Sequence, residues 1–160
     1  MDISERKAEL LQVLDDADRE TRDLFAGLAD EDLPKRTDES NWTVGQLAGH
    51  IAQAPWAKRV VGRLSQNKGA GAPPPFGFLL NLGNWWNVRR FATTSRHELL
   101  DTWAGAFREY RRYIESLPDD VLDHGGDVPG RGKMTVADFV RSAPEHTRVH
   151  GETIRRALQR

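Results

Sequence analysis

Five histidines and no cysteine set the chemistry open to this 160-residue chain. Without a thiol there is no disulfide, no cysteine nucleophile and no thiolate ligand, so a metal would have to be held by His, Asp or Glu. His146 and His150 stand four residues apart and share a helical stripe with Phe139, Ala143, Ile154 and Ala157, so both imidazoles leave the same face. His50 lies on a second stripe, with Leu47, Ile51, Ala54, Ala57 and Val61. A histidine at a core position is often only a hydrogen-bonded packing residue, and two at this spacing also occur by chance. Three imidazoles in one apolar layer nevertheless leave several ring nitrogens in need of partners, at about 1–3 kcal/mol for each that goes unsatisfied. A single divalent cation removes that cost. Three neutral nitrogens suit zinc, with nickel, iron, copper and cobalt as alternatives, and leave at least one coordination position open. Such a position normally carries water, whose pKa zinc can lower to about 7. His97 and His124 read as surface residues, and Glu145 points about 100° away from its neighbour His146 on the helix.

The elements that would position these side chains are legible from their punctuation. Residues 4–28 carry Leu10, Leu11, Leu14, Ala17, Thr21, Leu24, Phe25 and Leu28 at helical spacing. A second helix is predicted from the capping box Thr43–Gln46, with Trp42 and Leu47 as a hydrophobic staple, running to about Ser65 or Asn67. A third starts at the Ser95–Glu98 box and carries Leu100, Trp103, Phe107, Tyr110, Ile114 and Leu117 in steps of three and four. A Gly- and Asp-rich loop is expected after Pro118, reaching Lys133. A fourth helix opens at Thr135, with Asp138 in the box position and Met134 and Phe139 as the staple. No segment alternates in the manner of a strand. Pro55 and Pro144 fall inside the second and fourth patterns, where each should kink its helix or break it.

Four helices of roughly 22 to 25 residues, each about 35 Å long, make an all-α four-helix bundle. His50 is about seven residues from the start of the second helix, and the His146–His150 midpoint is about ten from the end of the fourth. Run antiparallel, the two helices bring the three side chains within roughly 5 Å of one height; run parallel, they miss by about twice that. Between the second and third helices lies a long crossover, residues 68–94. Its segment Phe76-Gly-Phe-Leu-Leu-Asn-Leu-Gly-Asn-Trp-Trp is apolar enough to cover something, either an open end of the bundle or a partner subunit. Trp85, Trp86 and Phe91 could line a small-molecule pocket or form a dimer contact, with the dimer the favoured reading.

Length and composition set the outer bounds. The chain is the size of one domain, here residues 1–160, and 38% hydrophobic with 29% charged residues is a globular composition. A net charge of −1 offers no bulk attraction for nucleic acid. Arg155, Arg156 and Arg160 read as cations opposing a helix dipole. The longest uncharged stretch, residues 69–88, holds three consecutive prolines and is no membrane span. The opening residues run straight into a charged helical pattern with no secretion signal, so the cytoplasm is the expected compartment.

Asn41-Trp-Thr-Val-Gly-Gln-Leu-Ala-Gly-His-Ile together with Glu145-His-Thr-Arg-Val-His resembles the DinB-like superfamily of small bacterial metal-binding bundles over nearly the whole chain. The family pattern has a Trp and a small hydroxylic residue opening the second helix, a metal-binding His two turns later and a His-x-x-x-His pair on the last helix. These correspond to Trp42, Thr43, His50, His146 and His150. The resemblance implies an up-down-down-up topology, frequent homodimers and a divalent metal such as zinc or nickel. Two functions are weighed beside it. The first is a metal-dependent S-transferase or related hydrolase acting on a small-molecule substrate, with water or a low-molecular-weight thiol such as bacillithiol or mycothiol as nucleophile. The second is a non-catalytic metal-binding or ligand-sequestering stress-related protein. The related mycothiol-dependent maleylpyruvate isomerases resemble this chain less, because they commonly place a Glu where His146 stands.

Overall fold

A computed structural model describes residues 3–39, 41–53, 55–70 and 88–159. Six α-helical segments build the four bundle helices: α1 (Ile3–Ala26), α2 (Val44–Ala52), α3 (Pro55–Leu64), α4 (Arg96–Ser116), α5 (Val136–Arg141) and α6 (Ala143–Leu158). All three expected capping boxes form. Thr43, Ser95 and Thr135 each accept from the backbone N–H three residues on, and Gln46, Glu98 and Asp138 reach back to the cap.

Two of the bundle helices are split, each at its proline. The helix expected from Thr43 to about residue 65 stops at Ala52 and restarts at Pro55. Gln53, which caps α2, has left the helical region at ψ 67°. The fourth helix divides at Ser142, and Pro144 enters the first turn of α6, where a missing N–H costs nothing. The expected loop before it is also more ordered than its composition suggests. Gly125–Val128 (β1) and Gly132–Thr135 (β2) pair antiparallel, with Gly125 opposite Thr135 and Val128 opposite Gly132. Two four-residue strands, three of those eight residues glycine, are too short and too polar to show alternation. A side chain at Gly125 would stand 2.5 Å from the Met134 carbonyl, so the pairing itself requires glycine there.

Contacts between helices fix their directions. Lys7 reaches the Leu117 carbonyl and Asp119, Asp15 pairs with Arg111, and Asp18 accepts from the Trp103 indole, so α1 and α4 run antiparallel. Glu9 meets Arg141 and Glu20 meets Arg148, so α1 runs parallel to α5–α6. Lys58 pairs with Glu109 and Gly62 lies against the Tyr113 hydroxyl, so α3 runs parallel to α4. The bundle is therefore up-down-down-up, and the second and fourth helices are antiparallel, as the histidine register requires. The stripe of α4 that enters the core is Leu99, Trp103, Phe107, Tyr110, Ile114 and Leu117, with Leu99 in the place expected of Leu100.

The described ends of the crossover are pinned. Ala70 donates to the Asp127 carbonyl of β1, while Phe91 is buried against α2 at the point where a Cβ on Gly49 would come within 2.2 Å of its ring. Phe91 is thus a core residue and not a dimer contact. Trp85, Trp86 and the apolar segment from Phe76 lie outside the described residues. No described helix is long and apolar enough to cross a membrane.

Candidate metal centre

The bundle brings the three core histidines together. One nitrogen from each of His50, His146 and His150 lies within 4.8 Å of the other two. Ring centroids are 5.3 Å apart for His50 and His146, 5.1 Å for His50 and His150, and 4.5 Å for His146 and His150. The pair on α6 meets its partner across the interface with α2, with the rings edge to face rather than stacked. Nitrogens around a tetrahedral zinc are about 3.3 Å apart, so small side-chain rotations would close this triangle on a cation.

Burial keeps these rings ready to donate lone pairs. It pushes the His50 imidazole down to about 4, with the His150 charge adding and Glu39 opposing. Burial pushes His146 lower, to about 3, helped by His150, His50 and Arg131. Both are neutral at pH 7, the form a metal requires.

The third ligand candidate is oriented by a residue that the sequence reading did not single out. Glu39 places Oε2 2.9 Å from His150 Nδ1. A carboxylate only accepts, so Nδ1 carries a proton and Nε2 is the nitrogen left for a metal. Glu39 sits in the turn that delivers the chain into α2. Thr37 closes that turn: its amide and hydroxyl both donate to the Trp42 carbonyl, and its hydroxyl accepts from the Glu39 amide. Asn41 completes it in the left-handed region at φ 57°, which asparagine tolerates. Trp42, next in the chain, lays its ring 5.4 Å from that of His50. An acidic residue shortly before the Trp-Thr cap was the one clue available in the sequence, and nothing in its spacing distinguishes it from Asp38.

The remaining histidines stand apart. His97 is exposed and pairs with Asp101 one turn on. His124 is half-buried rather than on the surface: its Nδ1 lies 2.7 Å from the Ser65 carbonyl, tying the end of α3 to the hairpin. Glu145 is exposed, as expected.

An antiparallel helix pair that brings three imidazoles to one point, one of them backed by a carboxylate, defines a helical bundle suited to binding metal. The sequence profile of the DinB superfamily matches residues 13–154, and the chain belongs to that superfamily. Comparison with curated proteins returns no sequence match. Three solved structures share the fold at low identity. A mycothiol-dependent maleylpyruvate isomerase superposes with a TM-score of 0.72 at 10% identity, covering 96% of this chain and 61% of its own. YfiT from Bacillus subtilis, described as a probable metal-dependent hydrolase with an unusual four-helix bundle topology, has a TM-score of 0.68 at 18% identity, covering 96% and 86%. An uncharacterized protein from Clostridium difficile 630 gives 0.71 at 17%, covering 96% and 95%. The chain thus spans 61% of the length of the isomerase.

Proposed function

We propose that His50, His146 and His150 ligate one divalent cation, zinc before nickel, and that the protein is a metal-dependent enzyme of the thiol S-transferase type. The observation that carries the proposal is the convergence of three half-buried imidazoles from two antiparallel helices, with Glu39 on Nδ1 of His150. Histidine ligands commonly donate their second nitrogen to a carboxylate, and a packing histidine has no need of that arrangement. Fold-level likeness to a mycothiol-dependent isomerase and to a probable metal-dependent hydrolase supports the reaction class by analogy.

A bound divalent cation would lower the pKa of a coordinated water or thiol and so supply a nucleophile that this cysteine-free chain lacks. The chain's own part is to hold and to exclude. Glu39 fixes the His150 tautomer and ring plane. Trp42 flanks His50, and the apolar layer around His50 and His146 keeps both rings neutral.

Elemental analysis of protein purified without a histidine tag tests the ligand set. Near-stoichiometric zinc or nickel, lost in His150→Ala, is the expected result; wild type that neither carries metal nor takes it up would leave three packing histidines. Loaded protein is then assayed with a panel of small thiols and electrophiles. Turnover is expected, and metal-loaded protein that binds no thiol and turns nothing over would be a ligand-sequestering protein instead.

A further inference from the structure

His146 also walls a cavity of about 50 Å³ inside the bundle. Ile51, Trp103, Phe107 and Phe139 make it apolar. One polar group at its wall is not explained by the fold: Tyr110 lines the cavity, and its hydroxyl is fully buried with no hydrogen-bond partner among the described residues. Burial pushes this phenol up from its usual range, so it stays a donor.

The cavity is not isolated from solvent chemistry. Arg131, at the turn of the hairpin, donates from Nη1 to Ser142 Oγ at 2.7 Å. Arg131, Ser142 and His146 belong both to the cavity wall and to a shallow outer depression completed by Met134, Glu145 and Val149. Val149 is 56% exposed, the one large hydrophobic so placed among the described residues. The inner cavity and the outer depression therefore meet at His146, with a guanidinium beside the junction.

Size and polarity restrict what fits. A water needs about 10–15 Å³ of such space, and a cavity that admits benzene is about 150 Å³, so this one takes a few heavy atoms and no aromatic ring. A charge beside the Tyr110 hydroxyl would be buried without a counter-ion, whereas a carbonyl oxygen is satisfied by a single donor. We propose that the site binds a short-chain oxo acid, its carbonyl oxygen accepting from the Tyr110 hydroxyl and its carboxylate meeting Arg131, so that the connecting carbons pass His146. This names the substrate class of the metal site proposed above and rests on that reading for the reaction, though not for the binding.

The test is calorimetric binding of 4-oxopentanoate and pentanoate to the full chain, zinc-loaded and metal-free, with zinc content measured on each sample. Wild type should favour the oxo acid by about tenfold, one neutral hydrogen bond formed in a dry site. Tyr110→Phe should abolish that preference with a Tm unchanged or raised, since the unliganded hydroxyl contributes nothing to the fold. Arg131→Gln should weaken both acids alike, and 4-oxo-4-phenylbutanoate should be rejected. Equal or absent binding of the two acids in wild type, or a preference that survives Tyr110→Phe, overturns the pocket. Oxo-acid preference in protein that holds no zinc overturns the metal reading alone, and zinc bound without any preference overturns the pocket alone.

Discussion

Glu39 and His150 illustrate how a single contact decides the chemistry of an imidazole. The carboxylate at 2.9 Å holds a proton on Nδ1 and leaves the other nitrogen as the one available to a metal. Removing it leaves the ring free to rotate and to change tautomer. Glu39→Ala should therefore lower zinc affinity by about 10- to 100-fold, measured by competition with a chromophoric chelator, while the helical circular dichroism stays the same. Unchanged affinity would mean that the carboxylate does not support the metal.

At the scale of elements, the site depends on where α2 and α6 begin. Gly45 and Gly49 on α2 let the chain around Phe91 lie directly on the helix: a Cβ on Gly49 would be 2.2 Å from Phe91 Cγ, and one on Gly45 would be 3.1 Å from the Phe91 carbonyl. Gly49→Ala must displace a buried ring next to His50 and should cost about 1–3 kcal/mol of stability, read by urea unfolding. At the head of the fourth helix, the Thr135 amide, donating to the Asp138 carboxylate, holds that carboxyl below its usual range. A depressed folded-state pKa means that the stabilisation is complete above about pH 4, the ordinary carboxylate value, and is lost as pH falls through the folded value. Asp138→Asn should flatten the acid side of the stability profile in that window and leave neutral pH less affected. An identical acid limb in the variant would show that the cap is not coupled to stability.

For the whole molecule, the three imidazoles meet where the down-running second helix packs on the up-running fourth. A cation held by both would bind the folded state and not the unfolded chain. Zinc at about 1,000 times its dissociation constant should add about 4 kcal/mol of stability, seen as a higher Tm that a chelator reverses. His150→Ala should lose most of that increment. The same topology explains why α1 is tied to α4 at Asp15 and Asp18 and to the fourth helix at Glu9 and Glu20. Its polar edges make the cross-links, and its buried Leu10, Leu14 and Phe25 face the shared core.

Local chemistry is readable in one dimension, and what was local here was legible. Thr43, Ser95 and Thr135 cap their helices because each box is a contact between residues three apart, and the stripes holding His50, His146 and His150 follow from a period of 3.6 residues. Even the pairing of those stripes could be argued, because an antiparallel register needs only helix lengths. Tertiary structure alone decided the rest. Glu39 meets His150 across 111 residues of chain, through a turn closed by Thr37 and a left-handed Asn41. Arg131 reaches Ser142 because a glycine hairpin too short to show strand alternation turns back beside α6. Tyr110 sits on the same apolar stripe as Phe107 and Ile114, and only the packing of the helices leaves its hydroxyl buried without a partner in the wall of a cavity it shares with His146. Periodicity reports which face of an element is buried; what a buried polar atom meets there depends on neighbours that sequence distance does not encode.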